Sequence, residues 1–238
     1  MTTIPKNLVL EAVRAAVSNA QSKIKAAQAA AAIGGATNIA VARYKGAAAL
    51  AQGKAYELRV LKRVLDLMCA DGYTLYCQQK KTDVLTFGGS PCRPNLPQHD
   101  WIGARKGADE FQVWVSVQFC TLSHSLRSPP AAVQQSDRHE IDVGVYRVLQ
   151  GTSYPTLSQI VFAASCKTGR WSKAYIREAL GLRRELGYLA KPSQSRALWY
   201  KSKVQSRPAI PLAFFSSNLS CRAYKSLSRL GLEVEYFP

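Results

Sequence analysis

Two short stretches hold the side chains best suited to chemistry. In "HEIDVGV" (139–145), Glu140 and Asp142 stand two residues apart in the alternation of a strand, so they share one face while Ile141 and Val143 face the opposite way into a core. A carboxylate in a strand that is otherwise buried is costly unless it is paired, hydrogen-bonded or bound to a metal. "SQIVFAASCKTGRW" (158–171) reads as an apolar strand ending on Ser165 and Lys167, again two apart on one face, before a basic elbow and a helix. Sequential strands are often neighbours in space, so the acid and the lysine can meet. Glu57, in "GKAYELRVL" on a long helix preceding the sheet, adds a third group. Oxygen ligands of this sort suit magnesium, which takes one or two carboxylates plus substrate phosphate. The lysine can stabilise charge on that phosphate, or orient or deprotonate the attacking water.

Positioning these groups requires a sheet and its flanking helices. Alanine, the best helix former, dominates two stretches separated by "IGGATN", which predicts helices over about 5–32 and 38–70. The second ends in "ADGY", with Gly72 as its C-terminal cap, and its apolar residues Tyr56, Val60, Leu61, Val64, Leu65 and Met68 recur at three and four, giving one core face. The first is poor in large apolar residues and reads as an arm, or as a contact with a second copy or a partner protein. Further along, "YTLYCQQ" (73–79) is a short strand and residues 80–108 read as a loop or insertion. In "EFQVWVSVQF", Phe111, Val113, Val115, Val117 and Phe119 occupy every second position of a strand. A loop over 123–138 leads to a strand over 139–150, the 158–167 strand, and a helix over about 171–189. A loop rich in Lys, Ser and Arg, the strand "IPLAFFSS", a helix over 219–230 and the strand "LEVEYF" complete the chain. The order predicts an α/β fold: a mixed β-sheet flanked by helices, over 46–238, with an Ala-rich helical N-terminal extension over 1–45.

Composition says what such a domain would meet. The 238 residues carry 32 Lys plus Arg against 15 Asp plus Glu, a formal charge of +17, which points to a polyanion. No apolar run reaches the roughly 18 residues that span a bilayer, and the N-terminus has no leader-like pattern, so a soluble, cytoplasmic protein without membrane contact is expected. Six scattered cysteines without a C-x-x-C pair, and three scattered histidines, argue against a zinc module and for free thiols. From Lys167 to Leu230 there are fourteen Lys plus Arg against Glu178 and Glu185 alone. Arg170, Lys173, Arg177, Arg184, Lys201 and Lys203, interleaved with Trp171, Trp199 and Tyr200, form a surface suited to phosphates and bases, with affinity that falls steeply with salt.

With these residues in this order, the sequence resembles the PD-(D/E)XK nuclease superfamily, the restriction-endonuclease-like fold, and within it the Mrr-type restriction endonucleases. The resemblance covers about 46–237, with an insertion at about 80–137. It rests on a helix glutamate (Glu57 in "AYELRVLKRVLDLMCADGYTL"), a strand aspartate (Asp142), the "SCK" strand end with Lys167, and a closing strand, helix and strand in "IPLAFFSSNLSCRAYKSLSRLGLEVEYF". It implies a restriction-endonuclease-like core, a metal-dependent endonuclease using Mg²⁺ or Mn²⁺, nucleic acid (DNA first) as substrate, and a bacterial or phage defence setting. One position departs from the pattern: Ser165 stands where most members carry an acid two residues before the lysine. Some members with Ser there supply the carboxylate from the following helix, which makes Glu178 in "WSKAYIREALGLRRELG" the migrated metal ligand, with Glu140 as the other candidate.

Each residue also has a plain structural reading. Asp142 can be a solvated strand-start residue and Lys167 a strand-end charge. Glu57 can pair with Arg59, Lys62 or Arg63, and Glu178 with a basic residue of its own helix. His139 beside the acids is a further candidate base, although a lone histidine at a strand start is usually structural. Two functions follow: a nuclease using Asp142, Lys167, Glu57 and Glu178, or a catalytically degenerate nuclease fold serving as a nucleic-acid-binding or assembly subunit.

Overall fold

The structure, a computed structural model, describes residues 38–78, 91–94, 99–125, 132–151, 153–194, 203–207 and 209–238, with isolated positions elsewhere; for 38–51, 78, 188–194 and 203–207 it describes the backbone path. Of the helix expected over 5–32 only scattered positions lie among these residues, so that helix and most of the 1–45 extension fall outside them.

Helix α1 (Asn38–Ala70) has the expected bounds. It stops where Gly72 adopts φ +93°, with the Tyr73 N–H closing onto the Met68 carbonyl at 3.0 Å. A left-handed residue at this point favours glycine, which has no Cβ to clash. Five strands then run as an antiparallel meander: β1 (Thr74–Gln78), β2 (Trp101–Lys106), β3 (Asp109–Cys120), β4 (Arg138–Arg147) and β5 (Ile160–Lys167). Between β3 and β4 lies a single helical turn, α2 (Leu122–Ser125). After helix α3 (Lys173–Glu185) a separate hairpin forms from β6 (Tyr188–Gln194) and β7 (Lys203–Arg207). Strand β8 (Leu212–Ser216) returns parallel to β5, and β9 (Leu232–Tyr236) parallel to β8 after a 3₁₀ segment, Leu219–Leu230. The seven-stranded mixed sheet has the order β1-β2-β3-β4-β5-β8-β9, with helices packed on it. Its outermost strand β9 places Glu233 and Glu235 two apart.

Several expectations change. Strand β2 lies inside the segment read as loop, 80–108, and both β2 and β3 of the main sheet lie within the 80–137 stretch. Gly103 in β2 faces Tyr76, and a Cβ there would fall inside the tyrosine ring. The Lys-, Ser- and Arg-rich loop contains the β6–β7 hairpin. The segment 219–230 is helical over the expected residues but winds as 3₁₀, capped by Asn218 accepting the Ser220 N–H at 3.0 Å and by Gly231 at φ +73°.

The core lies on both faces of the sheet. On one, α1 packs Tyr56, Leu58, Leu61, Leu65 and Met68 against Val113, Val115, Val143 and Phe215. On the other, Ala179 and Leu182 of α3 pack with Trp114, Phe119, Ile141, Phe214 and Leu232. The even alternation expected in β3 therefore splits: Val113 and Val115 belong to the α1 side, Val117 and Phe119 to the other. Ile141 and Val143 split in the same way. The change occurs at buried Ser116, the one described non-glycine residue with positive φ (56°), where the ladder pairs Val115 with Val143 and Val117 with Ile141 but leaves the pair between them open. Asp142 occupies that gap on β4. Among the described residues, no helix is long and apolar enough to cross a membrane.

Candidate active site

Where β5 ends, the strand order changes character: β4 lies antiparallel on one side and β8 parallel on the other. A cleft of about 430 Å³ opens there, lined by Glu140 and Asp142 from β4, Ser165 and Lys167 from β5, and Glu178, Arg184 and Glu185 from α3.

Asp142 is held from β5. Its Oδ2 accepts the Cys166 backbone N–H at 2.6 Å, which fixes the carboxylate beside the strand end. Burial, and then the nearby charge of Glu57, push its pKa up to about 7; the Cys166 N–H and Lys167 pull the other way, and Glu140 adds to the rise. This is the electrostatic setting that a cation would stabilise.

Lys167 turns from β5 towards α3, where its Nζ lies 2.7 Å from Glu178 Oε1 and 5.8 Å from the centre of the Tyr175 ring. Burial works against its charge, but the Glu178 hydrogen bond and the fields of Asp142 and Glu178 win, so its pKa stands above the ordinary lysine value. The group is an ammonium at neutral pH and acts as a donor, not as a proton acceptor. Glu178 is the more open partner, its side chain 55 % exposed against 24 % for Lys167. Its pairing is across the cleft and not within its own helix. The local sequence explains its placement: Ser172 caps α3 by accepting the Ala174 N–H at 3.2 Å, and Ile176, Ala179, Leu182 and Arg183 bury the opposite stripe.

Glu57 is near Asp142 but does not line the cleft. Lys54 Nζ donates to its Oε2 at 2.9 Å and to Ser116 Oγ at 2.7 Å, and Ser116 Oγ donates to the same Oε2 at 2.9 Å. The expected partners Arg59, Lys62 and Arg63 are not used; Lys62 pairs with Asp66 instead. Glu57 thus acts on Asp142 through the field of its charge, across the gap in the β3–β4 ladder.

Ser165 is buried in the floor of the cleft and supplies no carboxylate. Asp142, Glu140, Lys167 and Glu178 are brought together around it. His139 also lines the cleft, its ring 6.4 Å from that of Phe119. Arg170, Lys173, Arg177 and Arg184 are all exposed, with Arg184 at the rim. Lys201 lies outside the described residues, as does the side chain of Lys203, whose backbone begins β7.

Sequence reasoning missed three residues, one lining the cleft and two that contact its Lys167 or the Glu57 behind Asp142. Glu185 lines the cleft and accepts from Ser123 Oγ at 3.0 Å and Ser123 N at 3.1 Å. Its spacing of two turns from Glu178 was the available signal. Tyr175, three residues before Glu178, had the same kind of signal. Lys54 is one turn before Glu57, but its second partner Ser116 is 62 residues away and nothing local announces it.

All six cysteines are free. No gathering of three or more His, Cys, Asp or Glu side chains forms a closed metal centre among the described residues. No protein-family model, curated protein or solved structure matches the chain.

Proposed function

We propose that the chain is a metal-dependent endonuclease with a restriction-endonuclease-like core, hydrolysing phosphodiester bonds in nucleic acid, DNA first, in the cytoplasm of a bacterial or phage defence system. The observation that supports this reading most is the meeting of Asp142, Lys167 and Glu178 in one cleft at the end of β5, with Ser165 between them. The order helix with Glu57, strand with Asp142, strand with Lys167, helix with Glu178, and closing β8 and β9 follows the family's sequence of parts.

The residues fit Mg²⁺ or Mn²⁺. Magnesium needs only one or two carboxylates beside substrate phosphate, and Asp142 with Glu178 or Glu140 offers them on one cleft, while the raised pKa of Asp142 marks a carboxylate short of a positive neighbour. When bound, the ion polarises a phosphoryl oxygen and lowers the pKa of water. The chain's own groups do the rest. Lys167, kept charged, donates to a non-bridging oxygen, and this bond strengthens as negative charge builds in the transition state. Asp142, fixed by the Cys166 N–H, and Glu178, held by Lys167, keep their oxygens directed at the same space. Water adds to phosphorus as the bond to the leaving oxygen breaks, and a proton of that water passes through solvent to the leaving oxygen, giving a phosphomonoester end and a hydroxyl end. Exposed Arg170, Lys173, Arg177 and Arg184 hold the backbone on either side.

A second reading has its own support: Ser165 provides no anionic ligand, and Glu178 is already neutralised by Lys167 at 2.7 Å. On that reading the fold binds nucleic acid, or assembles with a partner, without cutting. The test is cleavage of supercoiled plasmid, single-stranded DNA and RNA with Mg²⁺, Mn²⁺ or EDTA. Metal-dependent cutting lost in Asp142→Ala and Lys167→Ala supports the nuclease, and loss in Glu178→Ala assigns the migrated ligand. Salt-sensitive binding with no cutting by the wild type supports the second reading.

A further inference from the structure

Away from the cleft carboxylates, two arginines converge on one tyrosine. Arg93 Nε donates to the Tyr154 hydroxyl at 2.7 Å, and Arg138 Nη1 donates to the same oxygen. Both guanidinium groups also lie against its ring, with Cζ 4.9 and 4.8 Å from the centroid. Arg138 is further steadied by Gln134 O at 3.1 Å and Gln118 Oε1 at 3.3 Å. The ion pairs of the described residues include neither arginine. Among the described residues, two like charges are thus bonded to one oxygen with neutral partners only.

The donors outnumber the acceptors. A guanidinium has five N–H groups, and Arg93, which is exposed, uses one of them in these bonds. The Tyr154 hydroxyl accepts twice and keeps its own proton to donate. Cation–π contact with the ring holds both guanidinium planes in place, so little ordering remains to be done on binding. Convergent, pre-oriented donors without an anion match the several acceptor oxygens of a phosphate group.

The position extends the cleft. Arg138 is the first residue of β4, followed by the cleft residues His139, Glu140 and Asp142. At the rise of a strand, four residues place Arg138 about 13 Å along β4 from Asp142, the reach of a few nucleotides. We propose that Arg93, Arg138 and Tyr154 form a phosphate clamp that holds the backbone of a nucleic-acid strand at a fixed distance from the cleft. The identity of the phosphate as a backbone one rests on the nucleic-acid reading above; the anion site itself does not.

The test uses the full chain and two probes. Inorganic phosphate is titrated while the Arg Nε–H signals are followed by NMR, assigned with Arg93→Gln and Arg138→Gln; a fluorescent oligonucleotide is bound across a range of salt. The clamp predicts that phosphate moves both arginine signals. It also predicts that the double variant Arg93→Gln/Arg138→Gln binds the oligonucleotide roughly tenfold more weakly, with the log–log salt slope reduced by about one. Tyr154→Phe, which keeps the ring and removes the hydroxyl, loses a smaller factor and guards against misfolding of the double variant. Arg63→Gln, an exposed charge on α1, is the control. If the double variant binds like Arg63→Gln while the wild type binds and cuts, the clamp is wrong and the nuclease reading stands. If phosphate moves both signals but no nucleic acid binds, the anion site stands and the nuclease reading fails. If phosphate moves neither signal, the clamp is wrong.

Discussion

The two faces of the sheet are made by the same strands and end differently. Over one lies α1, 33 residues long, whose apolar stripe closes on Val143, Ala164 and Phe215. Over the other lies α3, of 13 residues, and the 3₁₀ segment before β9, whose cover gives out where β5 ends. Strand β5 shows the consequence within four residues: Ala164 and Cys166 go to the α1 face, Ser165 and Lys167 to the cleft. The candidate site lies where one layer is too short to cover the sheet. The polar groups are tolerated because each has a partner: Cys166 N–H for Asp142, Glu178 for Lys167.

If that comparison is right, the faces should separate activity from stability. The largest effect expected is on cleavage in Asp142→Ala, a fall of about a thousandfold or more, equivalent to about 4 kcal/mol of transition-state stabilisation, with no fall in melting temperature. Plasmid-cleavage rates beside thermal melts check this. Leu65→Ala on the α1 face should do the reverse. It removes fully buried side-chain volume at a cost of about 2–5 kcal/mol, or roughly 10 °C for a domain of this size, while the cleavage rate per folded molecule holds. Gly144→Ala tests the other face away from the cleft: a Cβ there meets the buried Tyr146 ring, and the overpacking should cost about 1–3 kcal/mol in urea melts with the site intact.

The pH dependence is a finer test. The Asp142 carboxyl rises from an ordinary 3.8 to about 7 on folding. Its contribution to stability is therefore fully present below pH 4 and is lost as pH rises to about 7, because the folded state holds the proton more tightly. Without metal, Asp142→Asn should match the wild type near pH 4 and melt increasingly above it towards pH 7.5. Mg²⁺ at pH 7.5 should raise the melting temperature of the wild type alone. Glu57→Gln, the smallest change, should move the midpoint of this pH effect downward by removing the charge behind Asp142, and pH-resolved melts would show it.

Much of this frame was legible in local pattern. α1 declared itself through its three-and-four spacing and Gly72, and β4 and β5 through β-branched runs that put Asp142 and Lys167 at the sites where chemistry was expected. Strand β2 was not legible because its regularity depends on a distant ring: Gly103 weakens the strand pattern, and Tyr76, which fills the space, sits 27 residues earlier. The β6–β7 hairpin was hidden by its Lys, Ser and Pro content, which locally reads as loop. The division of β3 between two cores hinges on the backbone of Ser116, whose bonds to Lys54 and Glu57 are contacts between elements far apart in sequence. Glu178 was reachable only through the family resemblance, in which Ser165 stands where an acid is usual and the following helix is the place to look for a substitute.

An open sheet must also end, and β9 is one of its ends. Unpaired N–H and C=O groups along an outer strand invite a second chain to dock and continue the sheet, the first step towards aggregation. In β9 the residues alternating with the buried Leu232 and Val234 are Glu233 and Glu235, half-buried side chains on a strand of five residues. Two copies approaching along this strand would bring like charges together across the new seam, so the short acidic strand opposes edge-to-edge pairing in a protein otherwise rich in positive charge.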